Sequence, residues 1–255
     1  ALPICLNWQA TPDAMLYVSA TNGYKSGGWN SRSAYIPQAF TPMNPEKTWS
    51  YEAGFKTEWL DRRLRINVNA FLADTKDLQL SYTTPLPSAT PGAAPIALSI
   101  QANAGDVRVK GVEMEVAARL SEYVDFYTSV GLQRGEYTRN NPAARSFCPN
   151  NGTISTTTGQ CSAGAYINAI DPYDVPSRLP RRSIASGFNV GVPLGNAGKV
   201  RFTFEANYNS GYWTTASNSS PTFAVVPGLP VRPDVKNTYA NDYTLFNASL
   251  GWESD

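Results

Sequence analysis

At 255 residues with a net charge of +1 and no histidine, this chain has room for one large all-β domain or two small ones. The near-zero charge removes the electrostatic case for a nucleic-acid or anionic-lipid partner, and the missing histidines weaken the case for hydrolytic or zinc chemistry. Charged residues are only 16% against the usual ~25% of soluble domains, while Tyr, Phe and Trp (14, 10 and 6) are plentiful.

Taken in order, nine stretches read as strands: residues 3–10, 14–24, 46–60, 64–82, 102–120, 123–138, 181–193, 199–212 and 241–253. Period-two alternation marks them. In the third, Trp49, Tyr51, Ala53, Phe55, Thr57 and Trp59 share one face and Ser50, Glu52, Lys56 and Glu58 the other. In the fourth, Leu64, Ile66, Val68, Ala70 and Leu72 oppose Arg65, Asn67 and Asn69. Val112, Met114, Val116 and Ala118 then oppose Glu113 and Glu115, and Val200, Phe202, Phe204 and Ala206 oppose Arg201, Thr203 and Glu205. Several runs exceed the ~5–6 residues of ordinary strands and match tilted membrane strands of ~9–11.

The connections alternate in length. Thr11-Pro12-Asp13-Ala14, Leu60-Asp61-Arg62-Arg63, Ser121-Glu122-Tyr123 and Leu194-Gly195-Asn196-Ala197-Gly198 are tight, while 23–46, 83–102, 138–180 and 213–241 are long, polar and rich in Pro, Ser, Thr, Asn and Gly. Trp8, Trp59 and Trp252 lie beside the short turns or the final break; Trp29, Trp49 and Trp213 lie at or near the long loops. Short turns at one end, long loops at the other and two aromatic belts describe an antiparallel transmembrane β-barrel. A mean hydropathy of −0.31 does not oppose this, because a barrel turns half its side chains toward water. A soluble β-sandwich alternates too and stays open as a rival.

Cys148 and Cys161 flank 12 residues of Gly/Thr/Asn-rich loop, a span that suits a disulfide in an oxidising compartment, the alternative being two unpaired thiols. Cys5 is left to pack as a small apolar residue. No cluster suits a metal, and no nucleophile motif or phosphate loop is present, so neither an enzyme nor a bound cofactor is expected. The start, Ala1-Leu2-Pro3-Ile4, has no basic end or long apolar core and runs straight into a strand, which reads as a piece of a longer protein.

Four motifs carry a resemblance. Gly23-Tyr24-Lys25-Ser26-Gly27-Gly28-Trp29-Asn30, then Pro45-Glu46-Lys47-Thr48-Trp49-Ser50-Tyr51-Glu52-Ala53-Gly54-Phe55-Lys56, then Asn69-Ala70-Phe71 with Asp77-Leu78-Gln79, then Asn103-Ala104-Gly105 with Lys110-Gly111-Val112-Glu113-Met114-Glu115, resemble successive strands of TonB-dependent outer-membrane receptors. The match covers about 95 residues in order; the remainder fits by strand pattern. The resemblance implies a 22-stranded barrel in the bacterial outer membrane around an N-terminal plug, importing a scarce ligand such as a ferric siderophore with energy from the TonB complex. Residues 1–255 would be a mid-to-late part of that barrel, with about ten strands before and three after, and without plug or terminal strands.

On that basis Tyr24, Lys25, Trp29, Tyr166, Tyr173 and Trp213 are loop candidates for contact with a small-molecule ligand such as a metal chelate. Glu52, Lys56, Glu113, Glu115, Arg201 and Glu205 are expected to face the lumen and the plug, and the opposite faces the membrane lipid. A passive porin, or a secreted sandwich that binds a ligand, are the alternatives.

Overall fold

The computed structural model describes residues 2–30, 40–86, 96–141, 143–147, 166–168, 170, 174–214 and 239–254, with backbone alone at 2, 82–86, 96–97, 145–147 and 166–168. In chain order its strands are β1 (Leu2–Thr11), β2 (Ala14–Lys25), β3 (Gly28–Trp29), β4 (Pro42–Met43), β5 (Glu46–Trp59), β6 (Leu64–Leu86), β7 (Ile96–Arg119), β8 (Val124–Asn140), β9 (Arg145–Phe147), β10 (Tyr166–Asn168), β11 (Arg182–Pro193), β12 (Lys199–Asn209), β13 (Tyr212–Trp213), β14 (Tyr239–Ala240) and β15 (Tyr243–Glu253). Nine of them form one antiparallel meander, β1-β2-β5-β6-β7-β8-β11-β12-β15, with β1 and β15 as open edges. The three remaining pairs, β3–β4, β9–β10 and β13–β14, are short ladders within the long connections.

The register converts alternation into two faces. Leu16, Phe55, Val68, Met114, Val130 and Ile184 lie side by side across six strands. One residue along, Lys56, Asn67, Glu115, Ser129 and Ala185 form the neighbouring row and point the other way. Among the described residues no second layer of chain covers the apolar rows: Trp8, Phe246 and Leu250 remain 67, 67 and 75% exposed. A soluble sandwich would bury this face, so the apolar rows are the outer surface of a barrel wall.

The tight turns are made by backbone geometry. Leu60, Asp61 and Arg62 all have positive φ (55, 54 and 65°), which reverses the chain between β5 and β6. Gly198 (φ 94°) closes the β11–β12 turn, where a Cβ would overlap the carbonyl of Glu253.

Two strands are longer than their sequences suggested. β6 runs to Leu86 and β7 starts at Ile96, where the pattern gave ends near 82 and 102. Beyond the membrane both faces of a hairpin meet water, so alternation fades while the ladder continues through Pro85 and Ala97. At this loop end lies a small core of Ala104, Val107, Tyr137, Ala144 and Ile170. Ile170 and residues 174–179 reach it by folding over the polar face: Gly105 and Gly135 leave room for Ile170 and for Pro176 and Leu179. The chain that covers the polar face thus returns into the barrel mouth.

Candidate functional site

At the loop-side rim the four motif segments meet. Gln79, 6% exposed, donates from its side chain to the carbonyls of Ser26 and Asn44 (3.0 Å each) and from its backbone to the Glu46 carboxylate (2.8 Å). Asn103 accepts from the Asn44 amide (2.8 Å) and donates to the carbonyls of Asn44 (3.0 Å) and Asp77 (2.6 Å). Gly27 is needed where the loop returns, since a Cβ there would overlap the Met43 carbonyl. One polar knot therefore ties the feet of the β2–β5 loop to the β6–β7 hairpin, which is what the recurring motif residues do here.

Beside it sits an ionic cluster. Asp77 adopts positive φ (55°) at a break in the β6–β7 register, a conformation Asp tolerates better than most residues. Buried Asp106 accepts from the Asp77 amide (3.0 Å), from Lys76 (3.2 Å) and from Arg139 through two nitrogens (2.8 and 2.9 Å). Burial alone would raise the Asp106 pKa, but these donors outweigh it and hold it down at about 2. In the adjacent core, burial raises the Tyr137 hydroxyl well above its ordinary value, helped by the nearby Asp174.

The polar face has a different chemistry. Glu115 and Glu113 accept from Asn67 (3.2 Å) and Asn69 (3.3 Å), the Glu205 carboxylate from the Tyr127 hydroxyl (2.6 Å), and Glu52 from Tyr17. All four carboxylates are thus held by neutral donors, and among the described residues none forms an ion pair. Lys56 lies 5.5 Å from the centre of the Tyr17 ring. Three glycines make room for rings on this face, two of which are the tyrosines that hold Glu52 and Glu205. Tyr17 lies over Gly54, Phe71 over Gly111 and Tyr127 over Gly187, each ring occupying the space of a missing side chain on the next strand.

The residues singled out from sequence are distributed as follows. Glu52, Lys56, Glu113, Glu115, Arg201 and Glu205 all lie on the polar face; Arg201 is paired with Glu253 at 3.3 Å near the short-turn end, apart from the others. Tyr24 is on the opposite, outer face, in the alternation that carries Trp49 and Tyr51. Lys25 ends β2 across from Glu46, and Trp29 stacks on Phe40 (4.9 Å, 13°). Trp213 is buried and packs edge-on against Tyr239 at 5.0 Å. Tyr166 has backbone pairing with Phe147. Tyr173, Cys148 and Cys161 lie outside the described residues. Cys5 departs from its expected apolar packing: it is exposed on the polar face beside Ser19 and contacts Asn7. The ionic cluster was missed in sequence, although Asp77 stood in one of the motifs; the remote Arg139 and Asp106 gave no periodic signal.

The profile of the TonB dependent receptor-like β-barrel family matches residues 4–254. The chain belongs to this family. A metal-pseudopaline receptor, CntO, of Pseudomonas aeruginosa PAO1 is 27% identical over 229 residues, covering 80% of this chain and 30% of the relative. Its counterpart in strain UCBPP-PA14 is 29% identical over 138 residues, 54% of this chain and 17% of the relative. The chain thus spans less than a third of the curated relatives it matches. Among solved structures, the ferric yersiniabactin uptake receptor FyuA of Yersinia pestis superposes with a TM-score of 0.63 at 19% identity, over 99% of this chain and 29% of that one. The siderophore receptor PiuA of Acinetobacter baumannii gives 0.61 at 14% identity, over 99% and 29%. At those identities the likeness shows the fold: a sector of a TonB-dependent receptor-like barrel wall.

Proposed function

We propose that this chain is part of the barrel of a bacterial outer-membrane active-transport receptor, taking up a scarce metal chelate such as a ferric siderophore with energy from the TonB complex. Family membership supports the class, and the names of the relatives (receptors for metal–pseudopaline, ferric yersiniabactin and a siderophore) support a metal chelate as cargo. The single observation that carries the reading is the wet inner wall. Glu52, Glu113, Glu115 and Glu205 project from rigid strands with neutral donors alone, so they offer negative charge to a separate body inside the barrel. That body is the plug, in residues outside 1–255, and its basic groups complete the carboxylates' coordination. Lys25 and Trp29, beside the tied-down feet of the β2–β5 loop, contribute to the outer capture surface.

The test is uptake of radiolabelled ferric siderophores by cells carrying or lacking the whole gene, with and without a functional TonB complex. Uptake that needs both supports the receptor. Uptake that survives collapse of the proton-motive force would show a passive pore instead, and no uptake of any metal chelate would overturn the cargo class.

A further inference from the structure

The segment that returns over the polar face is built as a turn, and it stands where a solute would enter. Gly135 lies eleven positions from the turn-side end of β8 at Val124, and a tilted strand crosses hydrocarbon in about 9–11 residues. Pro176 and Leu179, which occupy the space above Gly135, therefore sit in the barrel mouth at the outer membrane boundary. Between them the chain turns at Ser177 and Arg178, the latter with a φ of 56°. Pro176 is buried, whereas Arg178, at the tip, is exposed. A layer packed on a sheet stands about 10 Å off it, so the tip projects by that depth from the inner wall.

The turn is held from several sides. The Ser177 backbone bonds the hydroxyl of Tyr137, which is itself buried on β8. Gln133 donates from its side chain to the Pro180 carbonyl (2.9 Å) and from its backbone to that of Arg181 (3.0 Å). The Arg178 amide donates to the carbonyl of buried Trp213 (2.6 Å). Arg182 and Ser210 exchange two bonds, amide to hydroxyl at 3.0 Å and amide to carbonyl at 2.9 Å. Pro176 and Pro180 fix φ at about −65° on either side of the tip. Anchors thus come from β8 and from the connection after β12, which makes the turn a rigid part of the wall.

Glu113, Gly131 and Ser183 form the inner row two positions deeper than Gly111 and Gln133. A solute approaching that row from the loop end along β8 passes the turn. The Arg178 side chain makes no ion pair among the described residues, so no carboxylate draws it away from this approach.

We infer that the turn at 176–179 is a fixed constriction of the barrel mouth, a size filter that admits small solutes to the Glu113 row and excludes bulkier ones. Arg178 is its specificity-determining residue. The inference rests on the membrane-barrel reading above. A strap that only braced the strands would leave access to the row unchanged.

The test uses the whole receptor on intact cells, with Ser183→Cys as reporter, treated with N-ethylmaleimide or with a maleimide carried on polyethylene glycol. Labelling at position 183 alone is read by peptide mapping. The ratio of polymer to small-reagent labelling cancels changes in thiol reactivity, and it should be low for the unaltered turn. Glycine adopts positive φ without strain, so R178G keeps the turn, removes the side chain and should raise the ratio several-fold. R178Q retains most of the length without the charge and should leave the ratio low. Gly135→Val, which presses a side chain into Leu179 and Pro176, should raise the ratio in a barrel that keeps its heat-dependent gel mobility. Equal labelling by the two reagents before the turn is altered overturns the constriction, as does an unchanged ratio in R178G. A position 183 closed to both reagents overturns it too, because the barrier then lies elsewhere. If R178Q opens the row as far as R178G, charge is the filter and the size claim falls. Failure of the membrane reading shows separately, as an unaltered receptor without heat-dependent mobility, and failure of the cargo class shows only in uptake.

Discussion

Asp106 shows how a single carboxylate can hold the loop end in place. Its folded pKa of about 2 lies below the ordinary 3.8, so its contribution is complete above about pH 4 and is lost as pH falls toward 2. Hydrogen exchange at the Asp77 amide should therefore stay slow from neutral pH to about 4 and accelerate, beyond the intrinsic pH effect, between 4 and 2. Asp106→Asn should show the faster exchange already at neutral pH, with a local cost of roughly 1.5–3 kcal/mol, typical of hydrogen bonds to a charged group. A second residue-scale expectation concerns Gly27. Gly27→Ala would drive a methyl into the Met43 carbonyl and shift the loop foot away from Gln79. Limited proteolysis should then cut within 26–45 sooner than in the unaltered protein, while the barrel strands remain resistant.

At the scale of the strand, direction decides what a substitution costs. Met114 and Glu115 are adjacent in β7, yet Met114 lies in the outer apolar row and Glu115 in the polar one. Met114→Arg places a charge on the lipid face near mid-span and should lower stability by about 2–4 kcal/mol. Glu115→Arg removes one acceptor for Asn67 and should cost far less. Denaturant unfolding of the receptor in lipid vesicles measures both, and equal costs would show that the two faces are not lipid and water. The glycine–aromatic pairs are a further element-scale device. Gly111→Val would collide with Phe71 and the Leu132 carbonyl and should loosen the β6–β7–β8 register, visible as faster amide exchange on those three strands.

At the scale of the whole molecule, among the described residues the apolar rows have no cover and the sheet has two open edges, β1 and β15. Residues 1–255 expressed alone in detergent-free buffer should aggregate and bind hydrophobic dyes, because unpaired edges and a continuous greasy face both seek partners. A monodisperse folded species in analytical ultracentrifugation would contradict the barrel-wall reading.

The strands, their faces and the asymmetry of their connections were legible in the chain because a membrane wall imposes a strict contrast: one residue in oil, the next in water. That contrast wrote Trp49, Tyr51, Ala53 and Phe55 against Ser50, Glu52 and Lys56 plainly enough to place both the strand and its inner side. Where both faces are wet, the contrast disappears, so the outer reaches of β6 and β7 could not be read. Contacts between distant segments were equally hidden. The union of Gly27, Glu46, Gln79 and Asn103 in one knot, the salt cluster joining Asp106 to Arg139, and the burial of Trp213 depend on register and loop return, which only the assembled sheet fixes. The amino-acid order by itself determined alternation and therefore the wall; tertiary structure decided which polar groups became neighbours, because hydrogen bonds and ion pairs act over a few ångströms in space and leave no period along the chain.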